Sequence, residues 1–159
     1  MDAPIDRALA THVERSLADY LATRGEAMTA MAPSFGSAVD ALSEFVLSGG
    51  KRLRPTFAWW GWRGAGGSGD DEQARAVLRA VSALELIQAC ALVHDDLIDA
   101  SAVRRGKPTV HVSLASRHRA RGWLGEPERF GAAAAILLGD LALAWADDMF
   151  TGSGLDPHR

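Results

Sequence analysis

The stretch Leu84-Glu85-Leu86-Ile87-Gln88-Ala89-Cys90-Ala91-Leu92-Val93-His94-Asp95-Asp96-Leu97-Ile98-Asp99 decides the fold. Its apolar residues, with Val77, Leu78 and Val81 upstream, fall on more than one side of a helix, the pattern of a central helix buried nearly all round. A helix of that kind needs helices around it, and the rest of the chain supplies them. Ile5, Leu9, Val13, Leu17 and Leu21 recur at every fourth position, with Asp6, Arg7, Glu14, Arg15 and Asp19 between them, which predicts an amphipathic helix over residues 3–30. Ser34 can cap a second helix whose buried face carries Phe35, Val39, Leu42, Phe45 and Val46 and which ends at Gly49-Gly50. Pro55 suits the first turn of a third, with Phe57, Trp59, Trp60 and Trp62. That one stops in the loop from Gly64 to Gly69, which is too rich in glycine for regular structure. Asp70 or Asp71 then begins the central helix. Residues 100–125 read as a loop with a short helix inside it, and Glu126 to Phe150 as the last helix. No stretch alternates with period two, so the fold class is all-α.

Composition agrees with a soluble globular domain. The chain has 159 residues, 48% hydrophobic and 23% charged, and at that size a fold buries roughly two-thirds of its unfolded surface without a disulfide or metal staple. One domain is the expectation. The net charge of −3 gives no general attraction to nucleic acid, so no nucleic-acid partner is expected and the tryptophans are read as core. The single cysteine, Cys90, cannot form an internal disulfide, which fits a cytoplasmic location. Met1-Asp2-Ala3-Pro4 has no basic segment leading into an apolar run, so no secretory signal is expected. The apolar run from Gly131 to Leu138 is closed by Asp140, short of the roughly 20 residues of a membrane span; it reads as a core helix.

The chemistry concentrates at the end of the central helix. At about 100° per residue, Asp95, Asp96 and Asp99 stand near roughly 0°, 100° and 40°, so the three fan over one side. Like charges that close repel, and hard oxygen donors with an open coordination sphere suit Mg²⁺, which commonly bridges to a phosphate. A solvated helix end is the alternative, although acids at a helix C-terminus oppose its dipole. Two basic clusters flank them. Gly49-Gly50-Lys51-Arg52-Leu53-Arg54-Pro55 sets three cations at a flexible turn before a helix N-terminus, a natural place for an anion. Arg104-Arg105-Gly106-Lys107-Pro108 follows Asp99 closely and can fold back over the carboxylates, with arginines suited to bidentate phosphate contacts. Each cluster alone reads as surface; together they describe a site for two phosphorylated substrates, one held through metal and one by basic side chains.

The string from Gly49 to Pro55, then Glu85-Leu86-Ile87-Gln88 through Asp99, then Arg104 to Thr109, closely resembles the trans-isoprenyl diphosphate synthases of the polyprenyl synthetase family. The match spans about residues 40–145. The resemblance implies an isoprenoid synthase-type helical bundle, with residues 1–159 as the N-terminal part of a single such domain. It implies a Mg²⁺-dependent, usually homodimeric enzyme that joins isopentenyl diphosphate to an allylic diphosphate head to tail and releases pyrophosphate. Asp95, Asp96 and Asp99 would hold Mg²⁺ against the allylic diphosphate, which Arg104 would also contact, making Asp95, Asp96 and Arg104 the catalytic set. Lys51, Arg54 and Arg105 would hold isopentenyl diphosphate, with Arg52 a helper and Gln88 standing where the family often has His. His94 is read as structural, and His111 is undecided. Product length in the family depends on bulk just upstream of the first aspartate; small Cys90 and Ala91 there imply a geranylgeranyl or longer product.

One departure matters. The family's second aspartate-rich motif lies in a half that has no counterpart here. Asp147-Asp148 is followed by no acid at the i+4 position and reads as a solvated helix end, and Gly139-Asp140 reads as structural. The bundle is therefore expected to be incomplete, with the apolar faces of the central and last helices partly uncovered. The alternative reading is a non-catalytic diphosphate-binding or regulatory subunit that pairs with a longer synthase chain.

Overall fold

A computed structural model describes residues 4–156, so what was expected of Met1–Ala3 lies outside the described residues. The elements run α1 (Pro4–Arg7), α2 (Leu9–Met31), α3 (Pro33–Leu47), α4 (Leu53–Gly64), α5 (Glu72–Ser82), α6 (Leu84–Ile98), β1 (Val103–Arg104), β2 (Lys107–Pro108), α7 (Val110–Ala120) and α8 (Pro127–Thr151). Among the described residues the architecture is all-α apart from one ribbon of two two-residue strands, for which the sequence reading had no place.

The ends of the helices follow from local chemistry. The expected first helix breaks at Ala8 (φ −142°, ψ 41°). Asp6 pulls α1 onto α4, accepting the Trp59 indole N–H at 2.9 Å and an Arg63 N–H at 2.9 Å. Pro33, not a capped Ser34, opens α3: its fixed φ suits the first turn, and extended Ala32 precedes it without a side-chain cap. Asp71 settles the start of α5 by accepting the Ala74 N–H at 2.7 Å. The central helix carries one interruption at Ala83, where the backbone stays in the right-handed helical region (φ −57°, ψ −25°). Fully buried Ser82 sends its hydroxyl back to the Leu78 carbonyl at 2.7 Å, a bond that bends helices.

α2 lies along α3, α6 and α7 both pack on α8, and α5 joins α2 to α4. The core they share is built from Val13, Leu17 and Leu21 of α2, Val39 and Leu42 of α3, Trp59 of α4, Leu86 and Val93 of α6, and Ala135 and Ala142 of α8. The every-fourth-residue stripe of the first helix is buried throughout, from Ile5 to Leu21. Two aromatic expectations are corrected: Phe35 and Trp60 are 45% and 48% exposed, because each sits off the stripe that faces α2 or α5.

Burial all round holds for neither half of the central helix: α5 is amphipathic, with Glu72, Gln73, Arg75 and Arg79 exposed opposite its buried face. One face of α6 opens Ile87, Ala91 and Ile98 to solvent, and α8 opens Ile136, Leu137, Leu143 and Phe150. These are the partly uncovered apolar faces expected on the central and last helices. By length and composition alone, Glu72–Ile98 and Pro127–Thr151 could each cross a membrane, the second being longer than the Gly131–Leu138 run suggested. The apolar window of the first is 67% buried inside the fold, as in a core helix, and that of the second 39%.

Candidate functional site

α6 ends in a turn that reaches back on itself. The Ala100 N–H bonds to the Leu97 carbonyl at 3.2 Å and the Ser101 N–H to the Asp96 carbonyl at 2.8 Å, the paired bonds of a Schellman motif. Ala100 takes the left-handed position (φ 51°) where glycine is usual. Within this turn the three aspartates separate. Asp96, 2% exposed, faces inward, while Asp95 and Asp99, one turn apart, are exposed. Among the described residues no three acidic, histidine or cysteine side chains gather closely enough to hold one ion. The three expected ligands thus stand as two carboxylates at the solvent-exposed helix end and one turned inward.

Asp96 turns inward because Arg104 meets it there. The Arg104 Nε donates to both Asp96 oxygens at 2.9 Å, and its Nη2 reaches Asp95 Oδ2 at 3.2 Å. These carboxylates, the Asp96 hydrogen bond foremost, raise the Arg104 pKa above its ordinary value. The ribbon delivers this geometry. Val103 pairs with Pro108 and Arg104 with Lys107, and Arg105 and Gly106 between them both have positive φ (52° and 77°), as in a two-residue type I′ hairpin. Buried Thr109 closes its base, donating to the Ser101 carbonyl at 2.8 Å. A left-handed arginine costs about 1 kcal/mol. What the turn gains is direction: Arg104 points to the carboxylates, and the next residue, Arg105, donates to the Gly49 carbonyl at 2.6 Å.

That second contact brings the basic loop to the site. Gln88, Arg104 and Arg105 line one cavity of about 200 Å³ with Arg52, Glu85 and Lys107. Lys51 and Arg54 are exposed and outside its wall, with no ion pair among the described residues. Arg52 is corrected: it is 4% exposed and spent internally, on Glu85 at 2.8 Å and the Val46 carbonyl at 3.0 Å, not on a ligand. Glu85, Glu44 and Arg117 are cavity residues to which the sequence reading gave no role, and Lys107 entered it only as a member of the second basic cluster. Glu85 alone left a signal, as one carboxylate between the leucines of an apolar helix.

The remaining candidates make contacts of their own within the fold. The His94 Nε2–H bonds to the Ile136 carbonyl at 3.1 Å, and Gly139 leaves room for the ring: a Cβ there would lie 2.2 Å from it. Cys90 sits behind that ring, its Sγ 3.8 Å from Nδ1, and burial, then Asp140, pushes its thiol pKa up. His111 Nδ1 lies 3.2 Å from the Thr109 hydroxyl. Asp148 is not merely solvated: it pairs with Arg24 and accepts from Tyr20 at 2.7 Å, tying α8 to α2.

A family profile described as polyprenyl synthetase matches residues 37–155. Heptaprenyl diphosphate synthase component 2 of Geobacillus stearothermophilus is 36% identical over 99 residues, which cover 62% of this chain and 29% of that protein. Octaprenyl diphosphate synthase of Escherichia coli (strain K12) is 32% identical over 117 residues, covering 73% and 30%. Among solved structures, geranylgeranyl pyrophosphate synthase from Corynebacterium glutamicum, complexed with isoprenyl diphosphate and magnesium, superposes with a TM-score of 0.85 at 44% identity, covering 91% of this chain and 41% of that one. The chain spans less than half the length of each of these proteins.

Proposed function

The chain belongs to the polyprenyl synthetase family, whose members are isoprenyl diphosphate synthases, and from that premise we propose that it forms the N-terminal half of a prenyltransferase. The reaction proposed joins isopentenyl diphosphate to an allylic diphosphate, head to tail, with release of pyrophosphate and a geranylgeranyl or longer product. One observation carries the reading: consecutive residues Arg104 and Arg105 tie the carboxylate end of α6 and the basic loop of residues 49–54 to a single cavity.

The donor set fits Mg²⁺. Asp95 and Asp99 offer hard oxygens on an exposed helix end, and two protein carboxylates leave the remaining positions for water and a substrate's phosphate oxygens. When bound, Mg²⁺ would neutralise charge on the departing diphosphate. Asp95 and Asp99 would hold it, and Asp96 would keep Arg104 aimed at the same group. Arg104 would contact the allylic diphosphate, whose bond to carbon breaks with charge building on the leaving oxygens. Gln88, Arg105, Lys51 and Arg54 would hold isopentenyl diphosphate. The open apolar face of α6, Ile87 and Ala91, would lie along the allylic chain and keep water from the developing cation.

The uncovered faces of α6 and α8 favour a second reading, in which this chain binds diphosphates without turning them over and pairs with a longer synthase chain. A cytoplasmic assembly, as a homodimer or a heteromer with such a chain, belongs to the same proposal. The deciding experiment is a prenyl-transfer assay on the 159-residue chain with and without a longer synthase subunit. Transfer by the chain, or raised by its addition with the site intact, supports catalysis. Magnesium-dependent diphosphate binding with no effect of Asp95 or Arg104 substitutions on the partner's turnover supports the regulatory role.

A further inference from the structure

Among the described residues Arg52 is the one buried arginine or lysine, and Glu85, at 8% exposed, shares with Asp96 the position of buried carboxylate. Asp96 is matched by Arg104 at the site; the Arg52–Glu85 pair takes no part in the chemistry above. It is nonetheless costly to hold. Burying two charges gives up hydration that their attraction only partly returns, and Arg52 also stands in the left-handed region (φ 47°) at the start of α4.

The geometry shows what that cost maintains. Arg52 Nη1 bonds to Glu85 of α6 at 2.8 Å, Nη2 donates to the Val46 carbonyl at the end of α3 at 3.0 Å, and Nε faces Glu14 of α2 at 3.6 Å. Three helices thus grip one side chain in the middle of a loop. The loop backbone passes close above: a Cβ on Gly50 would lie 3.8 Å from Arg52 Nη1 and from both terminal nitrogens of Arg105. The left-handed turn sends Arg52 inward, while its neighbours Lys51 and Arg54 face solvent.

We infer that Arg52 and Glu85 are positioning residues, a buried ionic strut that fixes the loop of residues 49–54 so that Lys51 and Arg54 meet a diphosphate as one prearranged unit. The identity of that diphosphate rests on the function proposed above; the strut itself does not. Without it, the two cations would have to be ordered at the moment of binding, at the expense of affinity.

The test compares the chain with Arg52→Asn/Glu85→Gln. Asparagine tolerates the left-handed backbone, and removing both charges leaves neither unpaired in the interior. The double variant should keep its thermal midpoint. Its amides from Lys51 to Arg54 should exchange with solvent about tenfold faster, and by calorimetry it should bind isopentenyl diphosphate about tenfold more weakly. Magnesium-dependent binding of geranyl diphosphate should change by less than about twofold, which a general loss of structure would not spare. Unchanged exchange of the loop amides, or affinity for both ligands falling together with the midpoint, overturns the strut. If the unsubstituted chain binds no isopentenyl diphosphate, the proposed function fails while the exchange measurement still decides this inference. If the double variant does not fold, Glu85→Asp, which keeps the charge and shortens its reach, yields the same readouts.

Discussion

Arg104 sets its Nε 2.9 Å from each carboxylate oxygen of Asp96, so the inward member of the acidic cluster is already neutralised before any ligand arrives. Asp95 and Asp96 are neighbours with different duties: one faces solvent, the other completes the packing of α6.

Asp96→Asn should therefore cost about 3 kcal/mol of stability in urea unfolding, near the lower end for breaking a buried pair because Arg104 is partly exposed. Asp95→Asn should leave the unfolding midpoint almost unmoved and weaken magnesium binding. Equal stability losses in the two variants would contradict the inward role of Asp96.

Tyr20 is the only tyrosine in the chain, so tyrosinate absorbance reports it alone. Burial, then the hydrogen bond to Asp148, pushes its pKa up to about 12. The folded state thus favours the neutral phenol. Its contribution is fully present below about pH 10, where tyrosine ionises in the unfolded chain, and is lost as pH rises through about 12. Asp148 is held below the usual carboxylate range, first by the Tyr20 hydroxyl, so its share is lost at the acid end as pH falls through that lowered value. Tyr20→Phe should abolish the late absorbance step and flatten the alkaline loss of stability.

Gly131 lets α8 come close to the backbone of α7. A Cβ there would lie 2.3 Å from the His111 carbonyl oxygen, a backbone atom with no rotamer to yield. Gly131→Ala should destabilise by about 2 kcal/mol through forced separation of the two helices. Gly61, in α4, has nothing within 4 Å of its Cβ position, and Gly61→Ala should stabilise by up to about 0.8 kcal/mol from helix propensity. Thermal unfolding of the two variants should move in opposite directions.

Cys90 and Ala91 were expected to set product length together, yet they face different ways. Cys90 is buried behind His94, and Ala91 lies on the open face with Ile87. In an assembly that shows prenyl transfer, Ala91→Phe should fold normally and shorten the product by chromatography. Cys90→Phe should first lower the thermal midpoint, by about 1–3 kcal/mol of overpacking.

What could be read from the sequence was what is local. The stripe from Ile5 to Leu21, the glycine loop and the three motifs each lie within one stretch of chain, and periodicity or spacing reveals them. The inward turn of Arg52 was not legible, because a left-handed arginine looks like any other member of a basic run. Nor was the bond of Tyr20 to Asp148, which lies 128 residues away. The division of labour among Asp95, Asp96 and Asp99 stayed hidden for a related reason. Helical angles placed all three on one side of a helix read as buried all round; with one face of α6 open, Asp96 continues the buried stripe of Leu86, Ala89 and Val93, where Arg104 meets it.

The ribbon that carries Arg104 and Arg105 has two residues in each strand and two in its turn. Its neighbouring arginines look redundant on paper but have separate addresses, one on α6 and one on the loop at Gly49. Arg104 ends the first strand and Arg105 opens the turn, so inserting or deleting one residue between Ser101 and Thr109 would shift the pairing register and re-aim both side chains while leaving both arginines in the segment. Drift in this segment can proceed by substitution, but its length is fixed by the two places it has to reach.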